Sequence, residues 1–494
     1  MFKHASNEFL TDLLKFYNEM LSTGQVHESW RETLFTMLPK TGDATSMKNW
    51  RPIAILRISY KLFARLLYHR LHPVLDLQQS ADQVGFRAGR CVEDAFVVLE
   101  TVCSKCSEWG LPLWCMSLDL SKAFDRIEFQ PLFRSLADQG VRDEYLKILV
   151  SIYAGQTGRL RGSKHFGIQR GVKQGDVLSP LLFNAGLEAA VRNWKLRVVG
   201  SGIVVDEAEK LTNIRYADDL LVFATSAEEL CWMTEILQEE LARVGLQLNS
   251  SKTKALTLEP SDVPRFLDVS GEFVTVLGPD DFHKYLGRKL SGDVKERGRL
   301  ELAHRVQIAW MRFHKHRDIF LDKNINIRSR LKFFQSVIST TVLYGLPACA
   351  LTGQQVESLD ILQRKMLRRI VGWARVDGEE WCETMRRMRM KVDSALRLQP
   401  VEVWSKQLLR RQFRMVCRLS HRRDEWAMRV SRWSPILTNA DACRARGRPT
   451  TRWDDRLNAF VRSQLDSQSW YEACTNPIFP SYEESYLLFH SDGA

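Results

Sequence analysis

The sequence predicts an α+β protein whose first part mixes helices with strands and whose remainder is helical. Up to about residue 290, segments with helical spacing of apolar residues, such as RISYKLFARLLYHRLHPVL, alternate with short strand-like runs such as LWCMSLDL. From about residue 295, helical patterns such as SLDILQRKMLRRIVGW dominate. A chain of 494 residues is long enough for two or three domains with sizeable cores.

Composition and charge restrict the class of protein. The chain is 45% hydrophobic and 26% charged, which is typical of a globular protein, and no run approaches the roughly 18 apolar residues of a membrane span. The N-terminus is punctuated by charge and is not built like a signal peptide, so we expect an intracellular protein without a membrane partner. The net charge of +12 predicts an anionic partner.

The excess positive charge is concentrated in residues 381–460, which hold 19 Lys and Arg against 8 Asp and Glu. The tryptophans that interleave with these cations are Trp381, Trp404, Trp426, Trp433 and Trp453. Arginine with tryptophan suits phosphate contact combined with stacking on bases, as in RNA binding. The pattern equally fits a helical domain with tryptophan in its core and arginine on its solvated face.

Two adjacent aspartates, Asp218 and Asp219, interrupt the apolar stretch NIRYADDLLVFA. The flanking runs are short and rich in β-formers, so we predict a strand, a tight turn and a second strand. Buried carboxylates without a partner are costly, so either water at the turn or a cation must compensate them. Asp119 ends the strand-like run LWCMSLDL 99 residues before Asp218, which allows the strands to lie side by side. Three carboxylates there could hold two hard divalent ions, as phosphoryl transfer requires.

Seven segments between about residues 30 and 290 follow one another in a distinctive order. They are LPKTGDATSMKNWRPIAILRISYKLFARLLYHRL, DQVGFRAGRCVEDAF, SLDLSKAFDRI, GVKQGDVLSPLLFNAGLE, YADD, LNSSKTK and YLG. In this order they resemble the fingers motifs, the Gly-Phe-Arg-x-Gly-Arg element, two palm motifs, the catalytic hairpin, a further palm motif and the primer grip of a non-LTR (LINE-like) retrotransposon reverse transcriptase. The ordered set is far more specific than any one motif.

The resemblance implies a right-hand polymerase fold with fingers and palm, followed by a helical thumb and a helical C-terminal region. A helical lead-in would occupy residues 1–30, the fingers and palm 31–294, the thumb 295–375, and a basic, Trp-containing helical region 376–494.

The resemblance also implies roles for individual residues. Asp119, Asp218 and Asp219 would be the catalytic residues and the ligands of two Mg²⁺ ions, with Mn²⁺ able to substitute. The incoming nucleotide would contact Lys40, Arg51, Phe124, Gln174, Gly175 and Lys252. The primer end would contact Tyr216, Ala217, Tyr285, Leu286 and Gly287.

Three of the positions near the predicted nucleotide site have more than one interpretation. Phe124 would abut the sugar of the nucleotide and reject a 2′-hydroxyl, or else is a phenylalanine of the palm core. Lys252 would help to protonate the departing pyrophosphate, but Lys254 beside it is an equally plausible solvated lysine. Asp125 is interpreted as structural, because a fourth carboxylate has no obvious ion to hold.

The expected activity is RNA-directed DNA synthesis, in which a DNA primer is extended with dNTPs on an RNA template. We expect the protein to act in the nucleus or in a cytoplasmic ribonucleoprotein. Three alternatives stay open on the sequence: an RNA-dependent RNA polymerase, a group II intron-type reverse transcriptase or maturase, and a catalytically silent RNA-binding relic of a retrotransposon.

Overall fold

The computed structural model of the chain is an α+β protein, as the sequence predicts. None of the helices it describes combines the length and the apolar character that a membrane crossing requires. The part of the predicted C-terminal region beyond residue 473 lies outside the described residues. The residues described are 4–40, 43–259, 263–278, 280–439, 442–444, 446–447, 449–465 and 467–473.

In the part of the chain that the structure describes, the strands all lie before residue 292, as the change of pattern in the sequence predicts. In chain order they are β1 (Glu32–Pro39), β2 (Trp50–Ile55), β3 (Trp114–Asp119), β4 (Thr157–Leu160), β5 (Phe166–Gly167), β6 (Ile203–Val204), β7 (Lys210–Leu211), β8 (Asn213–Tyr216), β9 (Asp219–Ala224), β10 (Lys254–Thr257), β11 (Phe266–Val269), β12 (Glu272–Val276), β13 (Phe282–Tyr285) and β14 (Arg288–Ser291).

Helices surround these strands and form the rest of the described chain. They are α1 (Asn7–Thr23), α2 (Ile58–Leu77), α3 (Val92–Trp109), α4 (Ala123–Arg126), α5 (Phe129–Asp138), α6 (Asp143–Tyr153), α7 (Ser179–Arg197), α8 (Ala227–Arg243), α9 (Arg297–Lys315), α10 (Arg317–Leu321), α11 (Ile327–Phe334), α12 (Thr340–Val342), α13 (Gly353–Ile370), α14 (Trp381–Leu398), α15 (Trp404–Ser420), α16 (Trp426–Arg432), α17 (Pro435–Thr438), α18 (Asp455–Leu465) and α19 (Trp470–Ala473).

A six-stranded sheet in the order β11-β12-β10-β3-β9-β8 carries the predicted carboxylates. Its neighbours pair antiparallel except β10 and β12, which are parallel. Alternate residues of β3 enter different cores: Met116 and Leu118 face one, and Cys115 faces the other. Because both faces of the sheet are covered, β3 is apolar on both sides and reads as a continuous apolar run.

A four-stranded sheet in the order β2-β1-β4-β5 holds the segment predicted as fingers. Strands β1 and β2 form an antiparallel hairpin in which Leu38 lies opposite Arg51. The sheet is tied to the rest of the molecule where the Ala54 N–H donates to the carbonyl of Gln174 at 2.7 Å. This contact joins β2 to the loop that leads into α7.

The helices after residue 295 belong to two separate hydrophobic cores. Helices α9 to α14 share a core of their own with the first turns of α15. From Phe413 onward, the C-terminal helices instead share one core with α3 and the central sheet. The buried ammonium of Lys105 on α3 donates to the carbonyls of Val430 and Ser431 at 2.8 and 2.9 Å, and also to that of Trp433. The C-terminal helices are therefore packed firmly against α3.

The tryptophans of the basic region are mostly core residues. Trp404, Trp426, Trp433 and Trp453 are each at most 4% exposed, whereas Trp381 is 61% exposed. For these four the structure favours the interpretation of a helical region with tryptophan in its core over base stacking. The domain boundaries at residues 30, 294 and 375 stay predictions.

Candidate active site

The predicted strand–turn–strand is present, and it brings the three aspartates to one end of the central sheet. Strands β8 and β9 pair antiparallel with Tyr216 opposite Asp219, so Ala217 and Asp218 form a two-residue turn. In the same sheet β3 pairs with β9, and Asp119 lies directly opposite Asp219. Asp119 and Asp219, 100 positions apart in the sequence, are thus neighbours across two strands.

The three carboxylates influence one another. Burial raises the pKa of Asp218, and the neighbouring Asp119 raises it further, whereas Lys252 and Arg51 lower it. Burial, Asp218 and Asp119 together raise the pKa of Asp219 to about 7. Repulsion of this kind requires closely spaced charges, and a cation placed among them would relieve it.

Asp119 has partners of its own. Its Oδ2 lies 3.1 Å from the Lys252 ammonium and accepts a hydrogen bond of 3.1 Å from the Asn249 side-chain amide. Within the described ranges, no group of three or more His, Cys, Asp and Glu side chains is arranged to hold a metal ion. The donor chemistry nevertheless fits a hard divalent cation, because the carboxylates are oxygen donors that repel one another and one of them already attracts an ammonium.

Cations approach these carboxylates from both sheets: Lys40 follows β1, Arg51 lies on β2, and Lys252 precedes β10. Burial lowers the pKa of Lys40, and repulsion from Arg51, Lys252 and Lys122 lowers it further. The predicted cations Lys40, Arg51 and Lys252 are therefore brought together. Lys122 joins them from the segment between β3 and α4, where its φ is +48°. Lys122 was not among the predicted site residues, although its place in the motif SLDLSKAFDRI, three residues after Asp119, indicates that it lies near the site.

Phe124 lies partly buried beside this cluster, in an aromatic group. Its ring stacks on Phe183 with centroids 4.7 Å apart and meets the edge of Phe86 at 6.3 Å. Phe86 is 51% exposed and also lies 6.3 Å from the ring of Tyr216 on the catalytic hairpin. The packing on Phe183 fixes the plane of Phe124, and Phe86 is a second aromatic residue at the site that sequence reasoning did not single out.

The Gln174–Gly175 loop rests on β2 and on Asp125. The Gln174 side-chain amide donates to Asp125 Oδ1 at 2.7 Å, consistent with the structural role predicted for Asp125. Gly175 has a φ of +105°, and a Cβ there would lie 3.2 Å from the carbonyl of Ala54, so glycine suits this close approach. A cavity of about 280 Å³ adjoins the loop and is lined by the loop itself, by residues of the four-stranded sheet and by Asp125 of α4.

Gln83 and Gly85, which were not among the predicted site residues, contact the turn between β8 and β9. Ala217 has a φ of +58°, which is strained for a residue other than glycine. The side-chain oxygen of the buried Gln83 accepts from the Ala217 N–H at 3.0 Å and from the Gly85 N–H at 2.9 Å. A Cβ on Gly85 would lie only 2.8 Å from the carbonyl carbon of Tyr216. Gln83 and Gly85 therefore define the position of the turn.

The Tyr285–Gly287 turn connects β13 to β14 and lies close to the aspartates. Burial raises the pKa of Tyr285, and the charge of Asp219 raises it further. The hydroxyl of Tyr344 donates to the Leu286 carbonyl at 2.8 Å, and Arg305 donates to the carbonyl of Gly287. Arg305 on α9 and Tyr344 in the segment after α12 thereby fix this turn. Its predicted contact with a primer stays a prediction.

Carboxylates at the facing ends of central β-strands, opposed by cations on a second sheet, define a palm-type nucleic-acid polymerase. Residues 38–290 match the family model described as "Reverse transcriptase (RNA-dependent DNA polymerase)". Because this match covers half of the chain, the protein belongs to the reverse transcriptase family.

Curated relatives place the chain among the proteins of non-LTR retrotransposons, as its motifs indicated. It is 30% identical over 288 residues to the Pol polyprotein of the type-1 retrotransposable element R2 of Popillia japonica, which covers 56% of this chain and 40% of the relative. It is 29% identical over 293 residues to the uncharacterized 149 kDa protein of transposon TX1 from Xenopus laevis, covering 57% and 22%. The chain therefore spans less than half the length of these relatives.

Among solved structures, the telomerase of Candida albicans in complex with a fragment of telomeric RNA is similar to the chain. The TM-score is 0.39 and the identity 12%, over 84% of this chain and 67% of that one. A likeness of this size is too low to define the fold.

Proposed function

We propose that this chain is the RNA-directed DNA polymerase of a non-LTR retrotransposon, which extends a DNA primer with dNTPs on an RNA template. The observation that carries the proposal is the pairing of Asp119 opposite Asp219, with Asp218 in the adjoining turn. Membership of the reverse transcriptase family supports the same activity. On this proposal the protein works wherever its RNA template is held, in the nucleus or in a cytoplasmic ribonucleoprotein.

Asp119 and Asp218 would hold the divalent cations that this family uses, with Asp219 in a supporting position. We propose two Mg²⁺ ions, with Mn²⁺ as a substitute. The ions would make the primer hydroxyl a better nucleophile and stabilise the leaving pyrophosphate. The ammonium of Lys252 now contacts Asp119, but its side chain is 64% exposed, so it is free to turn toward a bound triphosphate.

The cations would bind and orient the triphosphate. Besides burial, the charges of Arg51 and Lys122 lower the pKa of Lys40, so these cations repel one another. Phosphate oxygens bound among them would relieve that repulsion. In the reaction, a bond forms between the primer 3′-oxygen and the α-phosphorus, and the bond from the α-phosphorus to the bridging oxygen of pyrophosphate breaks. Lys252 would supply a proton to the departing pyrophosphate.

The remaining predicted residues would position the two substrates. Phe124, held flat on Phe183, would exclude a 2′-hydroxyl from the sugar site. Gln174 and Gly175 would lie against the nascent base pair. The primer end would rest between the catalytic hairpin at Tyr216 and Ala217 and the turn at Tyr285, Leu286 and Gly287.

Primer extension by the purified chain tests the proposal directly. Wild-type protein with a primed RNA, dNTPs and Mg²⁺ should extend the primer, and a chelator should stop the reaction. Asp218→Asn keeps the shape of the turn but removes a charged ligand, so extension should fall at least about 100-fold while template binding stays within about twofold.

The exposed Asp424 offers a matched control, because Asp424→Asn removes the same charge outside the site. This variant should extend primers as the wild type does. If the wild-type chain bound RNA but never extended a primer under varied metal and salt, the polymerase proposal would be wrong and a binding-only function would replace it.

A further inference from the structure

Helix α15 presents a row of arginines to a cleft at the N-terminal end of α3. Arg411, Arg414 and Arg418 recur at helical spacing on one face, and Arg422 follows just after the helix. The cleft has a volume of about 550 Å³. Its other lining residues are Cys91, Glu93, Pro347, Met415, Cys417 and His421.

Many arginines elsewhere in the C-terminal region are already paired with acids of the palm side. Arg429 contacts Asp206 at 2.7 Å, and both Arg444 and Arg452 contact Glu108. Their charge holds the C-terminal helices onto the rest of the molecule and is largely neutralised. Part of the excess positive charge of residues 381–460 is therefore neutralised by ion pairs within the protein and is not available to bind an anionic partner.

The charge in the cleft is not balanced in this way. Among the described residues that line it, Glu93 is the one acidic residue. Asp94, just behind it, pairs with Arg418 at 2.8 Å and with Arg422 at 3.6 Å. Arg411 has no carboxylate within ion-pair distance in the described part of the chain, and burial lowers its pKa. Glu93 and Asp94 carry two negative charges and the four arginines carry four positive ones, so these six side chains have a net charge of +2.

The cleft adjoins the catalytic hairpin and the turn that follows β13. A Cβ on Gly85 would meet the backbone of Tyr216, and four residues later the Gly89 carbonyl accepts from Arg422, so the segment that leads into α3 joins the hairpin to the cleft. The hydroxyl of Tyr344 donates to the Leu286 carbonyl at 2.8 Å, and Pro347, three residues after Tyr344, lines the cleft. The cleft therefore lies near both the hairpin and the turn that the primer end is proposed to contact.

We propose that the α15 cleft, lined by Arg411, Arg414, Arg418 and Arg422, binds the phosphate backbone of the nucleic-acid strand adjacent to the primer terminus. The inference rests on the proposed polymerase function and extends it to a site outside the reverse transcriptase match, which ends at residue 290. Guanidinium groups bind phosphate through paired hydrogen bonds. The seven steps from Arg411 to Arg418 rise about 10 Å along a helix, which equals about three nucleotide steps of 3.4 Å.

Removing the two arginines that do not contact Asp94 tests this assignment. In the double variant Arg411→Gln/Arg414→Gln, affinity for nucleic acid should fall about tenfold. The slope of log affinity against log salt should become shallower by about one to two, because each lost phosphate contact releases about one counterion fewer. Fluorescence anisotropy with labelled single-stranded RNA, single-stranded DNA and an RNA–DNA hybrid, from low to moderate salt, measures both quantities.

Two further variants keep the test decisive. Arg386 and Arg389 on α14 are exposed and lie outside the cleft, so Arg386→Gln/Arg389→Gln removes equal charge and should change the slope much less. Arg411→Lys/Arg414→Lys keeps the charge and should restore most of the slope. Thermal unfolding of each variant separates a binding defect from misfolding.

The outcomes for the cleft and for the polymerase are distinguishable. If the wild type extends primers but the cleft variant keeps its affinity and salt slope, or if the α14 variant loses as much, the cleft assignment is wrong while the polymerase proposal stands. If the wild type fails to extend but the cleft variant alone loses binding, the polymerase proposal fails and the cleft remains a nucleic-acid site. The probe whose affinity falls most identifies the bound strand.

Discussion

Gly85 is the position where a single methyl group should disturb catalysis most selectively. In Gly85→Ala the new Cβ would lie 2.8 Å from the carbonyl carbon of Tyr216 and 3.1 Å from its Cα, and closer still to the Ala217 nitrogen. All three are backbone atoms of the catalytic hairpin, so no side-chain rotation relieves the contact. The hairpin must move instead.

The size of that movement follows from the same distances. An ordinary contact begins at 3.4 Å, so the carbonyl carbon must retreat by about 0.6 Å or more. Catalytic groups need to be held within about 0.5 Å, and a displacement of about 1 Å costs on the order of 100-fold in rate. We therefore expect Gly85→Ala to extend primers roughly 10- to 100-fold more slowly, with a stability loss of about 1–3 kcal/mol.

Single-turnover primer extension at saturating dNTP measures the rate, and thermal unfolding together with template binding shows that the variant is folded. Gly353→Ala is the matched control, because a Cβ at the start of α13 meets nothing within 4 Å. It should leave rate and stability unchanged. A folded Gly85→Ala protein with the wild-type rate would refute the idea that this contact sets the position of the turn.

Three further changes test other contacts. Gln83→Met leaves the Ala217 and Gly85 N–H groups unpaired, so the free energy of unfolding in denaturant titrations should fall by about 2–4 kcal/mol; an unchanged midpoint would contradict this. Phe124→Val should raise incorporation of ribonucleotides relative to deoxyribonucleotides at least about tenfold in single-nucleotide assays, and an unchanged ratio would return Phe124 to a core role. Trp426→Phe removes the indole donor 2.6 Å from Asp82 and should lower stability by about 1–3 kcal/mol, without the change in nucleotide selectivity expected of Phe124→Val.

The sequence by itself determined the α+β fold class, the family and the position of the catalytic hairpin. The fold class and the hairpin follow from local patterns, namely short apolar β-forming runs on both sides of Asp218 and Asp219 and a third run ending at Asp119; the family follows from the resemblance of the seven ordered motifs. A carboxylate next to a buried strand is costly without compensation, so its presence there indicates a function before any contact is known. The helical character after residue 295 follows equally from local periodicity.

Only the tertiary structure decided what surrounds those carboxylates. Lys122 and Gln83 meet the site through backbone conformation and packing, for which a sequence has no periodic signal. The indole of Trp426 donates to Asp82 across 344 positions of the chain, and this buried hydrogen bond makes the tryptophan a core residue rather than a stacking platform. Which arginines are neutralised and which line the α15 cleft depends likewise on acids distant in sequence, because an ion pair forms wherever the fold brings two charges within a few ångströms.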